Sequence, residues 1–483
     1  MKQAFKKDSQ EIPKIKSRIN LPDFSSLNIT EITPLSKDII KNQPTINIIL
    51  FGEKQKGKST LVQSLSAPVN TKIKAEKEPE RIKEREKIIS QKIGYINTKL
   101  YKCPKCSEPE CYKAFNGEID NELKCKTCGT LLELIRHISL IDNPELKIKM
   151  NLILNPNLIS DAALLFVAAD EKLNIKEESD INQFNENLIS KNIIIIQNKI
   201  DIVMKNNKAK EQYTQIKKYA KNKNVQNSLI VPISAMLKFN LDVLIQYLIS
   251  IPIPKRDLIS PPKFNIFHSY HFTPFFDDSS MLNKTGTLYG ILQKGIFKLG
   301  DNIEILPGIC LKIKNKEIKH CPIYGKITIL QNEKNLSNYI IPGGLANIGV
   351  QIDSEFCKNN KLEGCVMNLQ EKGGNVYYKI GVKCHLVRKL INIEKKEFGH
   401  NLEYVTDIKK GEVVLLNINF ISVCGYIISI KGNNSDEICI ELKRPICLEI
   451  SDKIILSRKM GSIWRIIGWG EVISNGEEDA IVT

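Results

Sequence analysis

Apolar residues fall into two textures along this chain. In the first half, β-branched runs at 46–51, 137–142, 162–168, 193–197 and 229–232 alternate with stretches of helical spacing. Short apolar runs separated by amphipathic stretches predict a parallel sheet with crossover helices, an α/β domain. The texture changes after Ile251-Pro252-Ile253-Pro254-Lys255, where alternating prolines stop both helix and central strand. Beyond it, segments rich in Ile, Val and Tyr recur between Gly, Asn and Asp turns, with no long amphipathic helix. That pattern predicts two all-β barrels, divided at the turn cluster Lys372-Gly373-Gly374-Asn375. The polar start, with Pro13, Pro22, Pro34 and Pro44, reads as an arm with one short ordered segment near residues 35–41. The expected organisation is an arm at 1–44, an α/β domain at 45–258, and β-barrels at 259–372 and 373–483.

The first apolar run leads into Gly52-Glu53-Lys54-Gln55-Lys56-Gly57-Lys58-Ser59, and a helix-like run from Thr60 follows. G-x-x-x-x-G-K-S between strand and helix is a phosphate-binding loop. Its glycines let backbone N–H groups close around phosphate oxygens at a helix N-terminus, where the dipole favours anions. Lys58 is expected to reach the β and γ phosphates and Ser59 to ligate Mg²⁺. Asp142, at the end of the second run, is the candidate to hold Mg²⁺ through water. Ser90, ahead of Lys92-Ile93-Gly94-Tyr95, is the candidate switch hydroxyl.

Two further strings select the base. Asn198-Lys199-Ile200-Asp201 follows the fourth run. A carboxylate at Asp201 accepts from the N1–H and exocyclic amine of guanine, a donor pair adenine lacks. The Lys199 stem can cover the base face. Ser234-Ala235-Met236 follows the fifth run and offers the Ala235 N–H to guanine O6. All these strings sit at carboxyl ends of predicted strands, where ligands bind in such sheets. The expected ligands are GTP and GDP with Mg²⁺, which makes the first domain a P-loop GTPase domain.

Cys103-x-x-Cys106 and Cys125-x-x-Cys128 have the spacing of a four-thiolate zinc site. Four thiolates leave no open position for water, so a Zn²⁺ held there is structural, in a knuckle inserted at 99–132. Cys111 is a fifth candidate ligand.

Lysine and arginine number 70 against 54 acidic residues, a net charge of +16. The surplus suggests a polyanionic partner. Lys, Ile and Asn are abundant throughout, however, so charge alone does not establish nucleic-acid binding. The N-terminus has no apolar core of a secretory signal, and no stretch is long enough to span a bilayer. Eight of the 13 cysteines are scattered through the C-terminal half, as reduced thiols of a cytoplasmic protein are. The compositional bias is compatible with the cytosol of a reduced eukaryotic compartment.

Taken together these residues resemble the gamma subunit of the eukaryotic and archaeal translation initiation factor two, a relative of elongation factor Tu. Ile32-Thr33-Pro34-Leu35-Ser36 and Thr45-Ile46-Asn47-Ile48 resemble that family's lead-in to its phosphate loop. The specific match is Lys92-Ile93-Gly94-Tyr95-Ile96-Asn97 followed by Tyr101-Lys102-Cys103, because a cysteine knuckle there separates this subunit from ordinary elongation factors. Ala209-Lys210-Glu211-Gln212-Tyr213, Pro254-Lys255-Arg256-Asp257, Pro342-Gly343-Gly344-Leu345 and Trp464-Arg465-Ile466-Ile467-Gly468-Trp469-Gly470 continue it. The resemblance implies GTP-dependent binding of methionyl initiator tRNA and its delivery to the small ribosomal subunit. It also implies alpha and beta partner subunits, an exchange factor and a GTPase-activating protein, and no membrane. Tyr95 and Asn97 are the implied neighbours of the charged tRNA end.

The chain departs from this family at switch II. D-x-P-G-H is replaced by Asp142-Asn143-Pro144-Glu145-Leu146, so a carboxylate and an apolar side chain stand where a γ-phosphate contact and a water-orienting His are expected. No confident catalytic residue remains, and intrinsic hydrolysis is expected to be weak. Single-turnover hydrolysis as fast as in a relative with the intact string would overturn this. Two alternatives stay open: a nucleotide-bound scaffold or RNA-binding module that no longer switches, and an aminoacyl-tRNA carrier of the elongation-factor type.

Overall fold

Pro34 and the polar residues around it give way to a short helix, α1 (Lys37–Asn42), that buries Ile39 and Ile40. Strand β1 (Ile46–Phe51) follows, with all six residues buried. The computed structural model describes residues 32–52, 55–66, 94–117, 123–142, 160–171, 192–203, 207–221, 229–270, 285–312, 318–332, 335–387, 405–431, 436–461 and 463–474.

Strand β1 is central to a seven-stranded sheet. Helix α2 (Lys58–Leu65) leaves its carboxyl end. Strands β2 (Gly94–Lys102), β3 (Tyr112–Asn116), β4 (Glu133–Asp142), β5 (Ala162–Ala168), β6 (Ile193–Asn198) and β7 (Leu229–Pro232) complete it in the order β3-β2-β4-β1-β5-β6-β7. Helices α3 (Ile200–Val203) and α4 (Lys208–Lys221) lie between β6 and β7, and α5 (Leu241–Ser250) follows. The run from β4 to β7 is parallel as expected, but β2 runs antiparallel to both β3 and β4. The sheet is therefore mixed. The β2–β3 hairpin extends it past β4 and carries the cysteine insertion.

Side chains alternate across the strands. Ile46, Ile48 and Leu50 pack with Leu61 and Leu65 of α2 and Leu244 and Leu248 of α5, whereas Ile49 and Phe51 pack with Ile141, Leu165 and Ile216 of α4. Burying each such side chain contributes about 1.5–3 kcal/mol. The two helical layers fix β1, and with it the loop at its carboxyl end.

Behind this domain, strands β8 (Lys263–Tyr270), β9 (Gly286–Lys294), β10 (Phe297–Lys298), β11 (Asn302–Lys312), β12 (Ile318–Asn332), β13 (Asn335–Leu336), β14 (Tyr339–Ile340), β15 (Leu345–Val350) and β16 (Val366–Leu369) form the next unit. The order β11-β16-β8-β9-β15-β12 closes through β11–β12 pairing, giving a six-stranded barrel. Strands β17 (Asn375–Leu386), β18 (Val413–Ile418), β19 (Ile421–Lys431), β20 (Glu437–Leu448), β21 (Lys453–Met460) and β22 (Ile463–Ser474) form a second closed barrel, β17-β20-β19-β18-β21-β22. Closure removes the exposed edges that open sheets must cover.

Long-range contacts lock the first barrel to the nucleotide domain. The Gly344 N–H donates to Pro44 O at 3.1 Å, and the Asn47 side-chain amide donates to Gly343 O at 3.1 Å. A Cβ on Gly343 would lie 2.2 Å from Pro44 O, so glycine is required by the close approach. Asp161 accepts from the Asn47 N–H at 2.8 Å and pairs with Arg256 at 2.6 Å, where both charged side chains are buried. Arg256 also donates to Thr45 O. The linker is thus held to the base of β1 by a charge-assisted network.

Candidate functional site

The carboxyl ends of β1, β6 and β7 converge. Gly57 precedes α2 with φ +88°, and Lys58 opens the helix. A Cβ on Gly57 would come 2.1 Å from Asn198 Nδ2, so the left-handed backbone and the close approach both call for glycine. Asn198 is the brace between three segments. Its Nδ2 donates to Lys56 O at 2.9 Å, and its Oδ1 accepts from the Ala235 N–H at 3.0 Å. The phosphate loop, the end of β6 and the loop after β7 are thereby tied by one side chain. Lys199 adopts φ +63°, which turns the chain into the short α3 and places Asp201 in its first turn.

The loop after β7 is fixed from below. Ser234 and Ala235 are buried, the Leu237 N–H donates to Ser234 Oγ at 3.2 Å, and Ser64 of α2 donates to Ala235 O at 2.7 Å. Met236 and Leu237 point outward, 78% and 67% exposed, so Met236 contributes its backbone and not its side chain to the fixed part of the loop. Ser59 is exposed, Thr60 half-buried and Gln55 exposed, at the mouth of the loop. Lys58 is buried and donates to Gly52 O at 2.7 Å. Asp142 pairs with Leu50 in the neighbouring strand, two residues before Gly52, which places its backbone beside the loop. Lys54, Ser90 and the switch II residues Pro144, Glu145 and Leu146 lie outside the described residues.

The Lys56 side chain is buried against Glu171, with Nζ 2.7 Å from Oε2. One expectation changes. Asn97 is not available to tRNA, because it is buried on β2 opposite Ser139, between β3 and β4. No motif in the sequence points to Asp170 or Glu171, which flank the site, and Gln212 stands only within the string 209–213 that resembles the family. Lys199 pairs with Asp170 at 3.2 Å, and Gln212 donates to Ala168 O and Glu171 O.

His137 offers no replacement for the missing switch II histidine. It is fully buried five residues before Asp142, about 17 Å along the strand. Burial, reinforced by the nearby Lys99, pushes its imidazole down to about 3, while Nδ1 lies 2.9 Å from Ile40 O. It stays neutral and anchors α1.

The four cysteines converge as the spacing predicted. All four sulfurs lie within 4.8 Å of one another, with Cys103–Cys128 at 3.3 Å and Cys106–Cys125 and Cys106–Cys128 at 3.7 Å. A tetrahedral Zn²⁺ with Zn–S bonds of about 2.3 Å needs sulfurs about 3.8 Å apart, so the donor set fits. Backbone N–H groups of Cys128 and Thr127 hold the Cys125 thiol down to about 6, and hydrogen bonds from Thr130 lower Cys128. The 125–128 turn thus favours the thiolate form that a metal binds, while hydrogen bonds with Cys103 and Cys125 push the Cys106 thiol up to about 12. Cys111 is not a member. It is buried in the main core and its N–H donates to Ser107 O. Glu108 docks the knuckle on α5, accepting from Gln246 at 3.1 Å and from Lys102 and Tyr112 at 2.8 Å.

A phosphate loop braced to two base-selecting segments, ahead of two closed barrels, defines a GTPase of the translational type. Residues 43–253 match the family Elongation factor Tu GTP binding domain, and residues 378–472 match Initiation factor eIF2 gamma, C terminal. The chain is 34% identical over 455 residues to eukaryotic translation initiation factor 2 subunit 3 of Drosophila melanogaster, covering 93% of each chain. It is likewise 34% identical over 451 residues to the subunit gamma of Schizosaccharomyces pombe, covering 93% of this chain and 98% of that one. It belongs to the family of gamma subunits of eukaryotic translation initiation factor 2. Among solved structures, the elongation factor SelB of Methanococcus maripaludis shares the fold. The TM-score is 0.57 for the apo form and 0.59 for its complex with a GTP analogue, each at 18% identity over 90% of this chain and 80% of that one. Membership makes the chain a GTPase subunit of a multi-subunit initiation factor, with guanine nucleotide and Mg²⁺ as its ligands. No helix among the described residues is long and apolar enough to cross a membrane.

Proposed function

We propose that this chain binds GTP and methionyl initiator tRNA and delivers the tRNA to the small ribosomal subunit, as the gamma subunit of a cytoplasmic heterotrimer with alpha and beta subunits. The observation that carries the reading is the Asn198 brace, which joins the phosphate loop to both base-selecting segments in a chain that also has two closed barrels and a cysteine knuckle.

In this reading Gly52, Lys54, Gln55, Lys56, Gly57, Lys58 and Thr60 form the phosphate cradle, largely through backbone N–H groups. Lys58 turns from Gly52 O to the phosphates. Ser59 would ligate Mg²⁺ and Asp142 would hold it through water, with Ser90 joining from switch I; bound there, the ion would neutralise phosphate charge. Asp201 takes the guanine edge, Lys199 covers the base, and the Ala235 N–H faces O6, in the loop shaped by Ser234 and Met236. Cys103, Cys106, Cys125 and Cys128 hold a structural Zn²⁺. An exchange factor and a GTPase-activating protein act on this site, the second offsetting the weak chemistry expected of Glu145 and Leu146.

The test is the affinity for charged methionyl initiator tRNA in the presence of the partner subunits, once with a non-hydrolysable GTP analogue and once with GDP. Tighter binding with the analogue is expected. Equal binding in both states favours the non-switching scaffold, and no binding in either removes the tRNA assignment.

A further inference from the structure

Lys56 is an internal residue of the phosphate loop, yet its side chain is 1% exposed, while its partner Glu171 is 45% exposed. The loop around it is held in unusual backbone. Gln55 and Gly57 on either side have φ of +65° and +88°. For Gln55, which lacks glycine's freedom, such a conformation persists only when neighbouring contacts over-determine it. Two of those contacts fall on Lys56 itself: its carbonyl accepts from Asn198, and its ammonium lies 2.7 Å from Glu171.

Glu171 is not a free surface carboxylate. Its carbonyl accepts from Gln212 Nε2 at 2.7 Å, and the same amide donates to Ala168 O at 2.8 Å. Gln212 is buried, and its Oε1 accepts from Gln197 Nε2 at 2.9 Å. Asp170 next door is paired with Lys199 of the base-selecting segment. The turn after β5 is thus clasped by one lysine from the phosphate loop and one from the guanine-selecting string, and is anchored to α4 from behind.

We propose that Lys56 and Glu171 are a positioning pair for nucleotide retention: their ion pair fixes the middle of the phosphate loop, and its rupture speeds nucleotide release without changing base selectivity. The inference rests on the reading of residues 52–60 as the phosphate cradle. Breaking the pair unties the loop from the turn after β5, and the loop N–H groups then lose one of the contacts that keep them in register with the phosphates. Glu171 is the half-exposed end of the pair, and so the end that a cationic side chain of a partner can reach.

The experiment is dissociation of a fluorescent GDP from the full-length chain, chased with excess GDP, alongside competition by ADP. Glu171→Gln and Lys56→Met are each expected to accelerate release about tenfold, and the double variant no more than the faster single one, because both remove one contact. Discrimination against ADP is expected to persist in all of them. The inference is overturned if both single variants release GDP within about twofold of the parent rate, if their effects multiply in the double variant, or if selectivity falls together with retention. A parent chain that retains no GDP overturns instead the reading of the phosphate cradle.

Discussion

Asp201→Asn is expected to lower GDP affinity by about a thousandfold or more and to transfer that affinity to xanthosine diphosphate. The reasoning is one of hydrogen-bond sign. A carboxylate accepts from both the N1–H and the 2-amino group of guanine. A carboxamide still accepts from N1–H, but it turns an N–H donor toward the 2-amino group, leaving two donors facing each other in a desolvated site. Xanthine carries an oxygen at that position and restores the match. The setting of Asp201 makes the exchange local: it lies on α3, two residues after Lys199 at φ +63°, and the brace that shapes the segment is Asn198. Titration of both nucleotides into parent and variant gives the answer. Loss of both affinities together would make Asp201 a structural residue, and undiminished GDP binding would place the base elsewhere.

Much of this site is visible in the sequence because its parts are short, ordered and each attached to a strand end. Strands β1, β5 and β7 begin and end where the apolar runs do. In β1 and β5 that is what full burial on both faces produces, and it leaves little room for misplacement, whereas β7, at the edge of the sheet, is exposed at Leu229. The β2–β3 hairpin was not legible. Gly94–Lys102 mixes polar and apolar residues, and its antiparallel course follows from pairing with β4 across an insertion rather than from any local pattern. Long-range partners were invisible for a related reason. Lys56 and Glu171 are 115 residues apart, and so much sequence separates Pro44 from Gly343 that only the folded chain shows why glycine stands there. Asn97 was assigned to a surface because its neighbours resemble a switch-adjacent string, whereas its position inside the sheet buries it. Motif spacing reports which groups can meet; it does not report which of them remain exposed once they have met.

The cysteine knuckle gives the second large effect. Cys125→Ser is expected to reduce bound zinc from about one equivalent to almost none, because a structural site with three thiolates and a hydroxyl loses much of its affinity. Cys125 is the member whose thiolate is best supported, by the backbone N–H groups of Cys128 and Thr127. Cys111→Ser is expected to retain the metal, since that sulfur is not among the four that converge. Loss of zinc should release the turns at 103–106 and 125–128 while the hydrophobic floor under Cys111 and Tyr112 persists, so limited proteolysis should cut within the knuckle before anywhere else in the described core. GDP affinity is expected to change by no more than a few-fold, because the Asn198 brace holds Lys56 and Ala235, whereas the knuckle reaches Gln246 on α5. Metal content measured on the parent and both variants, purified without chelator, decides the matter. Zinc retained by Cys125→Ser, or lost from Cys111→Ser, would mean that the four converging thiols are not the ligand set. A large fall in GDP affinity on zinc loss would mean that the knuckle, through β2 and β4, helps to set the position of Asp142 beside the phosphate loop.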